Sequence, residues 1–407
     1  MDWIKKIAKV PLYLLGNLVY LISHLVPKDK NLWIFGAWFG EKYADNSKYL
    51  FEYVNKNHPE IRAVWLTRNK NIPEQIRQKG YEAYLAYSFK GYLLSMKAGV
   101  AVVSQSELMD TNGFALSSRT KLVQLWHGTP LKKIMFDDQI VFGEPSLLRK
   151  LILIIFPVFK KHFDFSNALL IATSDEVKHN ISSAFGVSGS NVKVTGYPRT
   201  DSFFKEQEEV PLSGLLVTLR RRQYKIGIYM PTHRREGKFD ITCLLPNNLD
   251  YVDDILGQLE VFLLIKLHFY DVKALKHLDY NFKNILFLQD EDIWQDIYAI
   301  LQYSDFLITD YSSIYFDYLL TDKPIIFAPF DIKEYTKKDR EFYYNYEDVT
   351  PGPKARNWDE VLHFIEEATK DPGKYGEQRQ RIREIFHKYV DGNSSARVFD
   401  AISKDVS

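Results

Sequence analysis

The sequence is nearly without cysteine. Cys243 stands alone in 407 residues, so no intrachain disulfide can form, and a reducing compartment is the natural setting. It is also without an excess of charge of either sign. Lys and Arg number 53 against 52 Asp and Glu, a net +1 that supplies no global drive toward nucleic acid or an anionic membrane. Any such attraction has to come from local patches. The phosphate-loop, dinucleotide, zinc-protease and nucleophile-elbow patterns (GxxxxGK[ST], GxGxxG, HExxH, GxSxG) are missing, and no dense His/Cys cluster suggests zinc. A composition 46% hydrophobic and 26% charged excludes wholesale disorder, a collagen-like fibre and a polytopic membrane protein.

What is present is length and aromatic content. A chain of this size divides into roughly two to three domains. Its 26 Tyr and 27 Phe fit a large core with interfaces, or stacking and membrane-edge contacts, and composition does not choose between them.

The N-terminus, MDWIKKIAKVPLYLLGNLVYLISHLVPKDKN, has the charged start and apolar middle of a secretory signal but no small-residue cleavage pattern at Ser23, His24 and Val26. Pro11, Gly16, Asn17, Ser23 and His24 interrupt its apolar run. On a helix, Lys5, Lys9, Tyr13, Asn17, Tyr20 and His24 share one side, and Leu14, Leu15, Leu18, Leu21, Ile22 and Leu25 the other. That stripe suits a helix lying in a membrane interface better than one spanning it; a helix packed on the core and a transmembrane anchor remain the alternatives. A second stretch, LLRKLILIIFPVFKKHF over 147–163, is too short to span a bilayer. It is either a buried element with polar ends or, with Arg149, Lys150, Lys160 and Lys161 on its flanks, a second membrane contact.

From residue 31 onward, short apolar runs alternate with helical patterns. Asn31–Phe35, Ala63–Leu66, Gly99–Ser104, Leu122–Trp126 and Leu169–Thr173 read as buried strands, with helices such as Ser47–Asn57 and Asp175–Phe185 between them. After a polar, basic stretch at 205–225 the pattern restarts with Ile226–Met230, Val261–Leu267, Ile285–Leu288, Phe306–Thr309 and Pro324–Ala328, and it ends in a charged helical segment, Trp358–Asp405. Near-continuous apolar strands alternating with helices mean parallel sheets covered on both faces, so the prediction is an α/β protein of two doubly wound domains. Ligands in such folds sit at the carboxyl ends of strands, and the cleft between two facing domains is the expected site.

Polar residues gather where strands stop. His127-Gly128-Thr129-Pro130 follows LVQLW, Pro231-Thr232-His233-Arg234 follows IGIYM, His268 follows VFLLIKL, and Asp310-Tyr311-Ser312-Ser313 follows FLIT. A single His at a strand end is usually structural; two His, an Arg and a Ser-Ser turn on four strand ends are a less ordinary accident. The turn at 309–313 runs into a helix whose free N–H groups make an anion cradle, or whose first turn is simply N-capped by Ser312 or Ser313; both can hold. Arg234 offers a fork matching two phosphate oxygens. His127 can take a proton from a hydroxyl nucleophile, and His268 can stabilise a leaving phosphate. Asp290, Glu291 and Asp292 either mimic a metal-binding group or favour the start of the following helix.

Four segments, QLWHGTPLKKI (124–134), GYPRTDSFF (196–204), YMPTHR (229–234) and TDYSSIYFDYLLTDKPIIFAPFDIKEY (309–335), with EFYYNYEDVTPGP (341–353) after them, resemble the CDP-glycerol glycerophosphotransferase family, the teichoic-acid primases and polymerases of bacterial cell envelopes and some capsule enzymes. The resemblance runs over roughly residues 30–390. It implies a GT-B fold of two Rossmann-like domains facing a central cleft, and transfer of an alditol phosphate from a CDP-alditol to a hydroxyl of a polyprenyl-linked glycan at the cytoplasmic face of the membrane, releasing CMP. It implies His127 and His268 as catalytic residues, and Arg234, Thr309, Asp310, Ser312, Ser313 and Asp317 on the donor side. Gly128, Thr129, Asn46 and Arg199 are expected on the acceptor side. Two departures, His233 where an aromatic residue is common and Phe269 where a Pro is common, touch the donor contacts rather than the class. The expected layout is a membrane-associating helix (1–28), an acceptor domain (29–215) carrying the membrane contact at 147–163, a CDP-alditol-binding domain (216–375) and C-terminal helices (376–407). The length suits a primase or compact polymerase. No bound metal or other cofactor is required in this expectation, with Mg²⁺ at most assisting the donor, and no nucleic acid partner is expected. The rival readings are a nucleotide-sugar glycosyltransferase on the same fold and a non-catalytic membrane-bound scaffold.

Overall fold

The structure is a computed structural model that describes residues 10–142, 156–206, 210–234, 244–267, 282–289, 296–338 and 341–406. The chain forms two compact units. The first takes Met1–His127, Met135–Asp201 and Asn393–Ser407; the second takes Gly128–Ile134 and Ser202–Gly392.

The first unit is built on seven strands: β1 (Asp29–Phe35), β2 (Arg62–Thr67), β3 (Glu82–Leu85), β4 (Ala98–Val103), β5 (Lys121–Gln124), β6 (Leu169–Ala172) and β7 (Val192–Val194). Their order is β3-β2-β1-β4-β5-β6-β7, every neighbouring pair parallel. Side chains on both faces of β1 and β4 are buried, as a sheet covered by helices on both sides requires. The strand order reverses between β1 and β4, and the loops leaving β1, β4 and β5 emerge at the same sheet edge.

The second unit carries β8 (Lys225–Met230), β9 (Val261–Ile265), β10 (Ile285–Phe287), β11 (Phe306–Thr309) and β12 (Ile325–Phe327), in the order β10-β9-β8-β11-β12, again all parallel. Here the reversal lies between β8 and β11. Gly227 makes that pairing close, because a Cβ there would sit 2.3 Å from the Phe306 ring. The α/β class and the two parallel sheets agree with the sequence reading.

The extents of the units differ from the expected 29–215, 216–375 and 376–407. Residues 202–215 go with the second unit, as does the helix Gly376–Phe386, while the helix Ser394–Val406 returns to the first. Its Val398, Phe399 and Ile402 join the core formed by Leu50, Phe51 and Val54 of the helix Asp45–Asn57. The Asp201 carboxylate accepts from the Ser394 and Ser395 amides at 2.8 and 2.9 Å, supplying the start of that helix with partners its own backbone lacks. The segment Gly128–Ile134 crosses to the second unit because its backbone pairs there: Lys133 N–H with Glu341 O, and Tyr343 N–H with Leu131 O.

The N-terminal helix spans Val10–Ser23. It turns its polar side inward. Tyr20 is buried, His24 meets Ser118, and a Cβ on Gly16 would collide with Phe114. Leu14, Leu15, Leu18, Leu21, Ile22 and Leu25 face outward with 44–82% of their surface exposed. Lys5 and Lys9 lie outside the described residues, as does most of the 147–163 segment. Its end forms the helix Pro157–His162 with Phe156 and Val158 buried. Lys161 does not reach toward lipid as expected: it bonds both oxygens of Glu107 at 3.0 Å, because a nearly buried carboxylate needs a countercharge. Among the described residues no helix is long and apolar enough to cross a membrane.

His387, after the helix Gly376–Phe386, is buried with Nε2 2.7 Å from the Phe316 carbonyl. Burial pushes its pKa down, and Arg383 adds to this against the opposing pulls of Asp317 and that carbonyl. A depressed folded pKa means that the unfolded chain binds the proton first, so the stability is present above the unfolded value and lost as pH falls below it. The thermal midpoint should drop as pH falls below about 6.5, and drop less in His387→Gln, which keeps a donor but does not titrate.

Candidate functional site

In the first unit the chain leaves β5 through Leu125, Trp126 and His127. Trp126 has φ +54° and Gly128 φ +151°, so this turn is held in conformations that side-chain-bearing residues rarely adopt, and glycine is required after the histidine. A buried polar network holds it. Asn46 donates from Nδ2 to the carbonyls of Leu125 (3.3 Å) and Trp126 (2.9 Å), and its Oδ1 accepts from the Arg199 amide (3.2 Å). Arg199 Nη1 donates to Asp45 Oδ1 (2.7 Å) and to the His127 carbonyl (3.0 Å). Asp45 has φ +67°, which turns its carboxylate toward Arg199 and the amide of Asn46.

Asn46 and Arg199 are 0% and 4% exposed, so the expectation that they meet an acceptor is corrected. Their polar atoms are used to fix the backbone that carries His127. Thr129 is buried with the second unit. The His127 ring is partly exposed; its Nδ1 lies 3.3 Å from the Ser104 carbonyl, and the Trp38 ring centroid is 6.4 Å away.

Sequence reasoning missed Asp110. It is fully buried and accepts four backbone N–H groups, from Phe39, Ser104, Gln105 and Ser106. Burial pushes its carboxyl up to about 6 even though all four amides pull it down. Its bonds are to backbone, which leaves no pattern of residue types to find.

In the second unit, Arg234 and the 309–313 turn meet at the ends of β8 and β11. The Arg234 fork is bidentate on Asp331 (Nε and Nη2, both 2.8 Å), and Nη2 also lies 2.9 Å from Asp310. The guanidinium carbon sits 4.9 Å from the ring centroids of both Tyr311 and Tyr335. Burial works against its charge, but the two carboxylates more than offset this and hold Arg234 charged. The fork expected to take two phosphate oxygens thus holds two carboxylate oxygens here. Asp331, at 15% side-chain exposure against 1% for Asp310, is the partner that solvent or a ligand can reach. Burial and both carboxylates push the Tyr311 phenol far up, so it stays protonated and donates to Asp331 at 3.0 Å. Lys132 bonds the Tyr335 hydroxyl at 3.1 Å.

The other donor-side candidates divide. Asp310 orders the turn by accepting from the amides of Thr232 and Tyr311, and Thr309 donates to the Met230 carbonyl. Ser312 and Ser313 are partly exposed, and Ser312 Oγ accepts weakly from Ile314 N–H at 3.4 Å. The helix that follows, Ile314–Tyr318, has five residues, too few for much dipole. Asp317 lies within that helix, fully buried and bonded to the Tyr298 hydroxyl at 2.6 Å, so it anchors the interior and is withdrawn from the donor set. His268, Phe269 and Asp290–Asp292 lie outside the described residues. Among the described residues no cluster of His, Cys, Asp and Glu is arranged to hold a metal.

Two parallel, doubly wound α/β sheets with polar groups gathered at their strand reversals match the GT-B-like fold class. The putative UDP-N-acetylglucosamine 2-epimerase of Listeria monocytogenes shares this fold at TM-score 0.54 and 12% identity, over 92% of this chain and 96% of that one. The wall teichoic acid polymerase TagF is much nearer: TM-score 0.77 and 25% identity, over 99% of this chain and 97% of the compared one. The family model described as CDP-Glycerol:Poly(glycerophosphate) glycerophosphotransferase matches residues 18–404, and the chain belongs to that family. It is 27% identical to the teichoic acid glycerol-phosphate transferase of Staphylococcus aureus, over 96% of this chain and 98% of that protein. It is 26% identical to the teichoic acid poly(glycerol phosphate) polymerase of Bacillus subtilis, over 98% of this chain but only 53% of that protein, so it spans about half that relative's length. The chain is thus a transferase of the teichoic-acid, cell-wall class.

Asn46→Ala leaves two buried carbonyls without their donor. It should lower stability by about 1–3 kcal/mol in a denaturant titration, and turnover should fall with it as the His127 turn loosens.

Proposed function

We propose that this chain moves glycerol phosphate, or a related alditol phosphate, from a CDP-alditol to a hydroxyl of a membrane lipid-linked glycan, releasing CMP. The observation that carries the reading is His127, a partly exposed imidazole on a strained turn that buried Asn46, Asp45 and Arg199 brace from behind. Arg199 holds the His127 carbonyl, Asn46 the two carbonyls before it, and Asp45 the Arg199 guanidinium, a buried network that a histidine serving only to pack would not need.

In this reaction an acceptor oxygen attacks the phosphorus that carries the alditol. The bond from that phosphorus to the bridging oxygen breaks, and CMP leaves with the electron pair. His127 takes the hydroxyl proton. Arg234, the 309–313 turn and His268, assigned from sequence, offset charge on the pyrophosphate. For Arg234 to do so, Asp331 yields part of the fork, and its greater exposure makes it the partner able to move. No bound metal is required in this scheme; Mg²⁺ assists only by pairing with the donor. TagF has been studied in crystals soaked with CDPG, which supports the choice of donor.

His127→Ala should lose about 10²–10⁴ in turnover while CDP-alditol affinity stays unchanged. The assay is mass spectrometry of products from a synthetic lipid-linked disaccharide, offered CDP-glycerol, CDP-ribitol, UDP-sugars and GDP-sugars in turn. Transfer of a sugar, with no transfer of an alditol phosphate, would replace the proposal by a nucleotide-sugar glycosyltransferase.

The outward leucines of the Val10–Ser23 helix support peripheral attachment to the cytoplasmic face of the membrane, where a polyprenyl-linked hydroxyl lies. Leu14, Leu18 and Leu21 are each more than half exposed, so changing all three to Ser leaves the core intact. The triple variant should leave anionic liposomes and lose activity on the lipid-linked acceptor, yet keep activity on a water-soluble analogue. Undiminished sedimentation with liposomes would remove this helix as the contact.

A further inference from the structure

The geometry points to Asp110 as a positioning residue that sets the tautomer of His127, acting through the backbone turn at 104–106. The inference rests on the proposal that His127 is the base.

The peptide plane carries the argument. In a trans peptide the C=O of one residue and the N–H of the next point in opposite directions. Asp110 Oδ2 accepts from Gln105 N–H at 2.8 Å, so the Ser104 carbonyl in the same plane must point away from Asp110, and it meets His127 Nδ1 at 3.3 Å. The same oxygen accepts from Ser106 N–H at 3.2 Å, so the Gln105 carbonyl also points away, and it takes Gln124 Nε2 at 3.1 Å. Gln124 Oε1 in turn accepts from the Trp126 amide at 3.0 Å, one residue before the histidine. One buried carboxylate therefore aims two carbonyls, one at the His127 ring and one at the strand end that delivers it.

A carbonyl has no proton to give. Facing one, Nδ1 must carry the hydrogen, which leaves the lone pair on Nε2. Three successive amides of the turn, those of Ser104, Gln105 and Ser106, converge on that single oxygen of Asp110. The other oxygen of Asp110 accepts from Phe39 N–H at 2.7 Å and holds Trp38 and Phe39 at φ +49° and +57°. That turn sets the Trp38 ring beside His127. Neutral Asn at 110 replaces one acceptor oxygen by a donor facing amides that also donate.

The test uses the full chain labelled with ¹⁵N-histidine, with the His127 resonances assigned from the His127→Ala spectrum. At about pH 8 the wild type should show His127 protonated at Nδ1. Asp110→Asn should shift the ring toward the Nε2–H form and lower kcat by about 10²-fold, the lower end of a base's contribution, with the KM for CDP-glycerol within about twofold. An unchanged tautomer or an unchanged kcat in folded Asp110→Asn overturns the inference. Should that variant fail to fold, the wild-type tautomer decides: Nδ1–H supports the inference and Nε2–H overturns it. If His127→Ala keeps its turnover, the reading of His127 as base fails as well; if only Asp110→Asn keeps it, the inference alone fails.

Discussion

The first unit's functional end depends on one buried ion pair, Arg199 with Asp45. Both side chains are about 95% covered, so each has given up its water. Such a pair is stabilising only if further hydrogen bonds satisfy its remaining atoms. Asp45 accepts one such bond from the Asn46 amide, and Arg199 donates another to the His127 carbonyl. The cost of burying charge is thus tied to the placement of one imidazole. Truncating either partner would strand the other in a low dielectric and release the turn together.

The second unit solves the same problem with the same residue types. Parallel sheets end in loops whose amides and carbonyls have no strand to pair with, and these loops carry the chemistry. Arg234 joins the loop after β8 to Asp310 after β11 and to Asp331 beyond β12. Tyr311 and Tyr335 lie against the guanidinium and exclude water. The two arginines differ in one respect. Arg199 is closed off on all sides, whereas one partner of Arg234, Asp331, keeps partial exposure.

The sheets were legible because their central strands are apolar on both faces, and ten of the twelve strands among the described residues appear as near-continuous apolar runs. The two that escaped, β3 and β7, are the edges of the first sheet. Both are short and carry charge, so EAYL and VKV lack the apolar signal that ILF and IIF keep at the edges of the second sheet. His127 and Arg234 stand out in the sequence because each follows an apolar run by a few residues, and the structure places both just beyond strand ends. Their supports were not. Asn46 binds the backbone of a residue 153 positions away, and Arg234 finds Asp331 across 97 positions; neither separation has a local pattern. Asp110 bonds only backbone amides, which every sequence has. Asn46, Arg199 and Asp317 were expected to meet substrate, but burial, which no residue type states, turns them to the scaffold.

The return of the helix Ser394–Val406 to the first unit makes that unit discontinuous, with almost all of the second unit's sequence inserted before its last segment. On the ribosome, residues 1–201 emerge long before Phe399 and Ile402 exist to cover Leu50, Phe51 and Val54. Asp201 meanwhile waits for the amides of Ser394 and Ser395. The unit whose first segments precede the second unit is therefore completed only after it. Until residues 394–406 are released, it carries an open apolar groove that a chaperone or a premature aggregate can occupy.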